Sequence, residues 1–250
     1  MNSTPGTDPA AQAVPLAGGR IAAGVVRVGE TVRRPVGGSS AFMGSLLELL
    51  ERQGFAGAPR FLGRAGGADV LSFVPGEVPA RFRAWSDAQV RAAAELLRGM
   101  HDATRGSELA GRFEVVCHHD PGPNNAVFRG GLPVAFIDFA EAAPGSRLED
   151  VAYLAWTWSI SSKEFMAPDR QAEQVRLIAD AYGLGVVERR VLVDCVLERQ
   201  SRNVRFWAGF LAAPEAAPAG VEEMSDRIAW SRREHDYLSE RRDVFDRALR

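Results

Sequence analysis

Residues 117–141, CHHDPGPNNAVFRGGLPVAFIDFAE, constrain the fold of this chain more than any other stretch. An apolar run (FEVVC) enters a polar loop (HDPGPNN). A short apolar run (AVF) follows, then a turn at Arg129-Gly130-Gly131 and a second apolar run (PVAFIDF). This pattern predicts a strand, a loop and a β-hairpin. It sets Asp120 and Asn125 at the mouth of one hairpin strand and Asp138 at the end of the other. A hairpin can hold three such side chains a few ångströms apart. The plain alternative is a polar hairpin whose Asp and Asn serve only as turn formers.

The chemistry of the three side chains favours the first reading. Carboxylate and carboxamide oxygens are hard ligands that suit Mg²⁺ rather than zinc or copper. A further carboxylate beside such a metal can orient a hydroxyl and take its proton. Phosphoryl transfer uses that division of labour, with a loop Asp on the nucleophile and an Asn and a second Asp on the metal. His118 and His119 with Asp120 could also form a zinc site, but no further His or Cys stands nearby at ligand spacing.

The rest of the chain changes character at Pro75-Gly76. Before it, VPLAGG, GVVRV, TVRRP, PRFLG and DVLSFV read as strands. One helix interrupts them, from Ser39-Ser40 to about Arg52, with Met43, Leu46, Leu47 and Leu50 on one stripe. After it, Ser86 and Gln89 form a capping box opening a helix that ends near His101. From Glu149 the pattern is helical over 149–162, 169–182, 187–212 and 221–249. The expected fold class is α+β with two lobes. Residues 1–12 form a flexible tail, 13–74 a small β-rich lobe with one helix, 75–84 a linker, and 85–250 a larger helical lobe carrying the hairpin.

The spacing H-x-D-x₄-N, followed by an Ile-Asp-Phe strand end, resembles the aminoglycoside phosphotransferase and choline kinase group of protein-kinase-like enzymes. The resemblance runs from about residue 14 to 160. It implies a two-lobe protein-kinase-like fold and transfer of the γ-phosphate of ATP or GTP to a hydroxyl of a small molecule, with Mg²⁺ as cofactor. It implies Asp120 as catalytic base, Asn125 and Asp138 as metal ligands, His118 as a residue steadying the loop, and Asp150 as a cap on backbone groups near it. It places a purine against Ser72, Phe73 and Val74; no G-x-G-x-x-G covers the phosphates, and the turn from Gly18-Gly19 to Gly24, with Gly19 as a cofactor-binding residue, is expected to approach them through backbone amides.

Three positions depart from the family pattern. Lys163 is the single lysine among 30 basic residues, so no N-terminal lysine clamps phosphate. Arg34, on the TVRRP strand, is the expected substitute, since a guanidinium grips phosphate through two donors. His119 stands where the family has glycine. Neither Glu48 nor Glu51 sits well on its helix to pair with the phosphate-binding cation.

Composition removes other classes. Hydrophobic residues make up 46% and charged residues 25%, with a formal net charge of −2. No basic field recruits nucleic acid or an anionic membrane. The two cysteines, Cys117 and Cys195, read as thiols of a reducing compartment, and the expected location is cytoplasmic. Expected partners are a nucleotide and a hydroxylated acceptor, in a monomer or homodimer. An antibiotic acceptor, a metabolite acceptor and a kinase-like immunity protein without turnover all remain open. Trp156, Trp158, Phe206, Trp207, Phe210 and Trp230 are expected mainly in the core, with some as candidate walls of an acceptor pocket.

Overall fold

The computed structural model describes residues 13–16, 24–80, 83–212 and 219–250. The expected tail and the Gly18-Gly19 turn, including Gly19, lie outside these residues. The β-rich lobe is a five-stranded antiparallel sheet ordered β1-β2-β3-β5-β4. Its strands are β1 (Val14–Pro15), β2 (Val26–Val28), β3 (Thr31–Pro35), β4 (Phe61–Ala65) and β5 (Ala68–Ser72). Gly66 and Gly67, both at positive φ, make the two-residue turn between β4 and β5 that matches strand twist.

Helix α1 (Ser40–Arg52) buries Met43, Leu46, Leu47 and Leu50, the stripe predicted by their spacing. Its start is anchored on the sheet. Buried Asp69 of β5 accepts from the Ser40 hydroxyl and from Arg64 Nε at 2.8 Å. A buried carboxylate costs heavily unless paired in this way.

The chain leaves the sheet through Pro75-Gly76 and touches the helical lobe at once. Glu77 and Phe128 exchange two backbone hydrogen bonds, at 3.0 and 2.7 Å. Gly76 makes that approach possible, because a Cβ there would stand 2.4 Å from the Phe128 carbonyl oxygen. Helix α2 (Asp87–Thr104) opens with both bonds of the expected capping box.

Strands β6 (Val115–Cys117), β7 (Ala126–Arg129), β8 (Leu132–Phe136) and β9 (Ala143–Gly145) follow. β7 and β8 form the expected hairpin. Strand β9, absent from the sequence reading, pairs with β6. Its APG sequence has no alternating pattern, and only the pairing partner makes it a strand. Helix α3 (Arg147–Trp158) opens on a second capping box, from Ser146 and Glu149, and stops at Trp158 rather than at 162.

Helices α4 (Pro168–Tyr182), α5 (Val186–Ala212), α6 (Val221–Glu240) and α7 (Arg242–Ala248) complete the lobe. The single helix expected over 221–249 is therefore two. Arg241 breaks it at φ −111°, ψ 12°, and α7 turns Phe245 into the core against α4. The core runs from α1 through α2, α3 and α4, with Trp156, Phe136 and Phe139 among its largest buried side chains. Among the described residues no helix is long and apolar enough to cross a membrane.

Candidate active site

The loop after β6 is held from three sides. Its base is Asp150 of α3, fully buried, whose carboxylate accepts from the amides of His118 (2.6 Å) and His119 (2.8 Å) and from His101 Nε2 (3.1 Å). His101 in turn meets the Tyr182 hydroxyl at 2.7 Å through Nδ1. Burial pushes the Asp150 carboxyl up, but the His101 hydrogen bond and the surrounding imidazoles outweigh it and hold the group at about 2. His101, Cys117 and Asp150 lie close enough to suggest a metal cluster. The carboxylate is already consumed by hydrogen bonds, and burial raises the Cys117 thiol far above its ordinary range, so the cluster acts as a pillar.

His118 ties the loop to the hairpin. Its Nδ1 accepts from the Asp120 amide at 3.3 Å, and its Nε2 donates to the Ile137 carbonyl at 3.0 Å, which assigns the neutral Nε2-protonated tautomer. The Phe139 ring packs beside it at a tilt of 49°, centroids 4.6 Å apart. The imidazole therefore links the backbone of the candidate base, Asp120, to Ile137, the residue preceding Asp138.

Asn125 closes the frame. Its Nδ2 donates to Asp120 Oδ2 at 2.8 Å and to the Asp120 carbonyl at 3.0 Å. Its own carbonyl accepts from the Ile137 amide at 2.9 Å. Asp120, Asn125 and Asp138 are thus brought to one end of the hairpin, as their spacing predicts. Asp138 leaves the strand at φ +62°, ψ +65°, which turns its carboxylate toward the sheet lobe. There Arg34 Nη1 donates to Asp138 Oδ1 at 2.9 Å.

The donor set fits a hard divalent cation. Asn125 Oδ1 and the Asp138 carboxylate are both oxygen donors, and the Asp138 side chain is 31% exposed.

Asp120 Oδ1 is buried and finds no partner among the described residues, and neither does Asn124 Oδ1. Both converge on the space over Gly122: from the position a Cβ would take there, Asn124 Oδ1 is 3.0 Å, Asp120 Oδ1 3.7 Å and Thr157 Oγ1 3.8 Å away. Sequence reasoning missed Gly122, Asn124 and Thr157. Gly122 and Asn124 stand inside the motif, yet nothing in their spacing separates them from turn residues.

Other candidates sit differently. Glu48 is exposed and Glu51 lies 3.5 Å from Arg60, so neither α1 glutamate is seen with Arg34. The Ser72 amide donates to the Arg60 carbonyl (2.9 Å) and the Phe73 amide to the Glu30 carbonyl (2.8 Å), so both are spent inside the sheet. The Phe73 ring is covered by the Arg27 guanidinium at 3.6 Å. Val74 follows the sheet ladder and is half-buried.

His119 adopts φ +64°, a region that favours glycine, and its carbonyl accepts from Arg199 Nη2 of α5 at 2.6 Å. Burial lowers the pKa of its imidazole below the ordinary histidine value. Arg199 gave no signal in sequence, because nothing in a long amphipathic helix marks one arginine for a loop 80 residues away.

Residues 106–192 match the model of the phosphotransferase enzyme family. The fold is that of a choline/ethanolamine kinase family protein from Mesorhizobium loti (TM-score 0.59, 16% identity, 90% of this chain and 87% of that one). A spectinomycin phosphotransferase solved with ADP and spectinomycin is also similar (TM-score 0.56, 11% identity, 82% and 83%). In sequence, the chain is 31% identical over 255 residues to a trifolitoxin immunity protein from Rhizobium leguminosarum bv. trifolii, covering 90% of this chain and 94% of that protein. The chain belongs to the phosphotransferase enzyme family. The family match begins just past α2 and spans the loop, the hairpin, β9 and helices α3 and α4, together with the start of α5. The frame around Asp120 therefore lies within the matched segment, whereas Arg34 and most of α5, including Arg199, lie outside it.

Proposed function

We propose that this protein is a Mg²⁺-dependent phosphotransferase that moves the γ-phosphate of ATP or GTP to a hydroxyl of a small molecule, and that the physiological acceptor is a toxic natural product. The observation that carries this reading is Asp120. One carboxylate oxygen is fixed by Asn125, and the other is buried and unpaired, in the narrow space beside Gly122 that Asn124 Oδ1 and Thr157 Oγ1 also face. An acceptor hydroxyl placed there donates to Asp120 Oδ1. As its oxygen bonds to the γ-phosphorus, the bond from that phosphorus to the β,γ-bridging oxygen breaks, the nucleoside diphosphate leaves, and the hydroxyl proton passes to Asp120. Asn125 and Asp138 would hold the metal, which neutralises charge developing on the phosphates. Arg34 would grip phosphate in place of the absent lysine. The purine would lie against Phe73 and Val74. The family and the immunity protein's name support the reading.

A second reading follows from the Arg34–Asp138 ion pair and the same relative. In it, a kinase-like immunity protein keeps the pair closed and protects by sequestering the toxin. One substitution separates the two. Asp120→Asn removes the proton acceptor and should lower phosphoryl transfer by about 10²–10⁴-fold while the circular dichroism spectrum and melting temperature hold. Cells carrying Asp120→Asn should lose protection. Full protection with no turnover would sink the enzymatic reading in favour of the sequestering one.

A further inference from the structure

Arg34 of β3 stands between two carboxylates. Its Nη1 donates to Asp138 at 2.9 Å, while its Nε and Nη2 have no partner among the described residues. Asp69 of β5 is its register partner, directly across the ladder. Opposed residues of an antiparallel pair share one face of the sheet, with Cβ atoms about 4.5–5.5 Å apart, so the two side chains leave the sheet together. Arg64 of β4 is the register partner of Asp69 on the other side. One face of three neighbouring strands therefore carries the row Arg34, Asp69, Arg64.

Asp69 is the buried member of that row, at 0% exposure. Its two oxygens have one partner each: Oδ1 accepts from Arg64 Nε at 2.8 Å, and Oδ2 accepts from the Ser40 hydroxyl of α1. A carboxylate offers about four lone-pair sites, so both oxygens can take a further donor. Arg64 is 47% exposed on its side chain, and solvent screens that pair. One half-exposed cation is a weak counterpart for a carboxylate taken fully out of water. The second cation beside it by register is Arg34, whose side chain is only 18% exposed.

Burial separates the two claims on Arg34. Asp138 is 31% exposed at the end of the hairpin, where a metal–nucleotide complex would compete for it, whereas Asp69 is closed off beneath α1. Anchoring α1 does not by itself call for a charge at residue 69. The Ser40 hydroxyl, which also accepts from the Gly37 amide at 2.9 Å, would donate equally to a neutral carboxamide oxygen. Two flanking guanidinium groups do call for one.

We infer that Asp69 is the positioning residue for Arg34. When Asp138 engages a metal–nucleotide complex, the guanidinium passes to Asp69, which holds it on the sheet face with its remaining donors toward the phosphates. Arg64, on the far side of the same carboxylate, keeps the row balanced in charge. The anion that fixes Arg34 thus comes from the neighbouring strand and not from α1, whose Glu48 is exposed and whose Glu51 lies beside Arg60. The inference rests on the phosphotransferase reading for its meaning toward phosphate, but the pairing itself is tested without nucleotide.

The test is a double-mutant cycle of Arg34→Met and Asp69→Asn, read by thermal melts of the full chain, once in the parent and once in Asp138→Asn. Arg34 released from Asp138 should settle on Asp69, so the two substitutions should be non-additive by about 2–4 °C in Asp138→Asn and by less in the parent. Additive losses in both backgrounds would overturn the pairing. Should Asp69→Asn fail to fold, NMR answers the same question. The Arg34 Nε–H resonance, assigned by its loss in Arg34→Met, should stay protected from water exchange in Asp138→Asn, and free exchange there would equally overturn it. Calorimetric titration with ATP and Mg²⁺ then separates positioning from anchoring. Asp69→Asn should weaken binding about tenfold, whereas Ser40→Ala, which loosens the α1 anchor and leaves the carboxylate in place, should weaken it less than about twofold. Equal losses in the two variants would make Asp69 an anchor only. If the parent binds no ATP, the phosphotransferase reading falls, and the cycle still decides whether Asp69 holds Arg34.

Discussion

Arg34 Nη1 and Asp138 Oδ1 lie 2.9 Å apart across 104 residues of chain, joining the sheet lobe to the end of the hairpin. The pair is only partly screened, with side chains 18% and 31% exposed. In it, each charge satisfies the other. A metal–nucleotide complex taking Asp138 would free the guanidinium within reach of the phosphates.

Replacing Arg34 by methionine keeps the apolar stem and removes the fork. Hydrogen bonds to charged groups contribute about 1.5–3 kcal/mol, so ATP affinity measured calorimetrically with Mg²⁺ should fall by about ten- to a hundredfold. Arg34→Lys should recover part of it. Unchanged affinity in Arg34→Met would remove this residue from the nucleotide site.

Gly122 has ordinary extended geometry, φ −78°, ψ 163°, so alanine fits its backbone. The added methyl would meet Asn124 Oδ1 at 3.0 Å and fill the space facing Asp120 Oδ1. Gly122→Ala should therefore lower transfer to any acceptor at least tenfold while the melting temperature moves by only a few degrees. Normal turnover would place the acceptor hydroxyl elsewhere.

Asp150 and His119 make stability sensitive to acid, each in its own window. The Asp150 carboxyl lies at about 2 in the folded protein against 3.8 unfolded. Its contribution, of order 2 kcal/mol, is fully present above pH 3.8 and lost as pH falls toward 2. The His119 pKa is lowered from 6.5, so the unfolded chain binds that proton first and stability declines as pH drops below 6.5. Denaturant melts from pH 7 to 3 should show a shallow fall first and a steeper one below 4. His119→Gly should abolish the shallow part. Asp150→Ala should cost about 3–5 kcal/mol, because His101 and two amides lose their partner.

His119 also tests the backbone. A β-branched residue at φ +64° is strained, whereas glycine is at ease there. His119→Val should destabilise by more than about 1 kcal/mol, and His119→Gly should stay within about 1 kcal/mol of the parent. Equal stability of the two variants would mean that the loop relaxes rather than holding this conformation.

Much of the candidate site was legible from residue order. Asp120, Asn125 and Asp138 span 19 residues of a strand–loop–hairpin unit, so short backbone connections carry their geometry. Both capping boxes and the apolar stripe of α1 were equally local, although the Ser146–Glu149 box had not been singled out. The break at Arg241 and strand β9 were not legible, since no breaker residue marks Arg241 and the Pro144-Gly145 pair of β9 reads as a turn rather than a strand. Each exists because a distant partner, α4 or β6, rewards it.

The chemistry of the candidate loop was thus written locally, in oxygen-bearing side chains at hairpin spacing. Only packing decided that Arg34 meets Asp138 rather than a glutamate of α1, that Asp150 collects His101 and two loop amides, that Arg199 grips the His119 carbonyl, and that Glu234 is spent on Ser162. These contacts join residues 31 to 104 positions apart. No local period encodes such a pairing. It is selected by the burial of the helices and sheet that carry the partners.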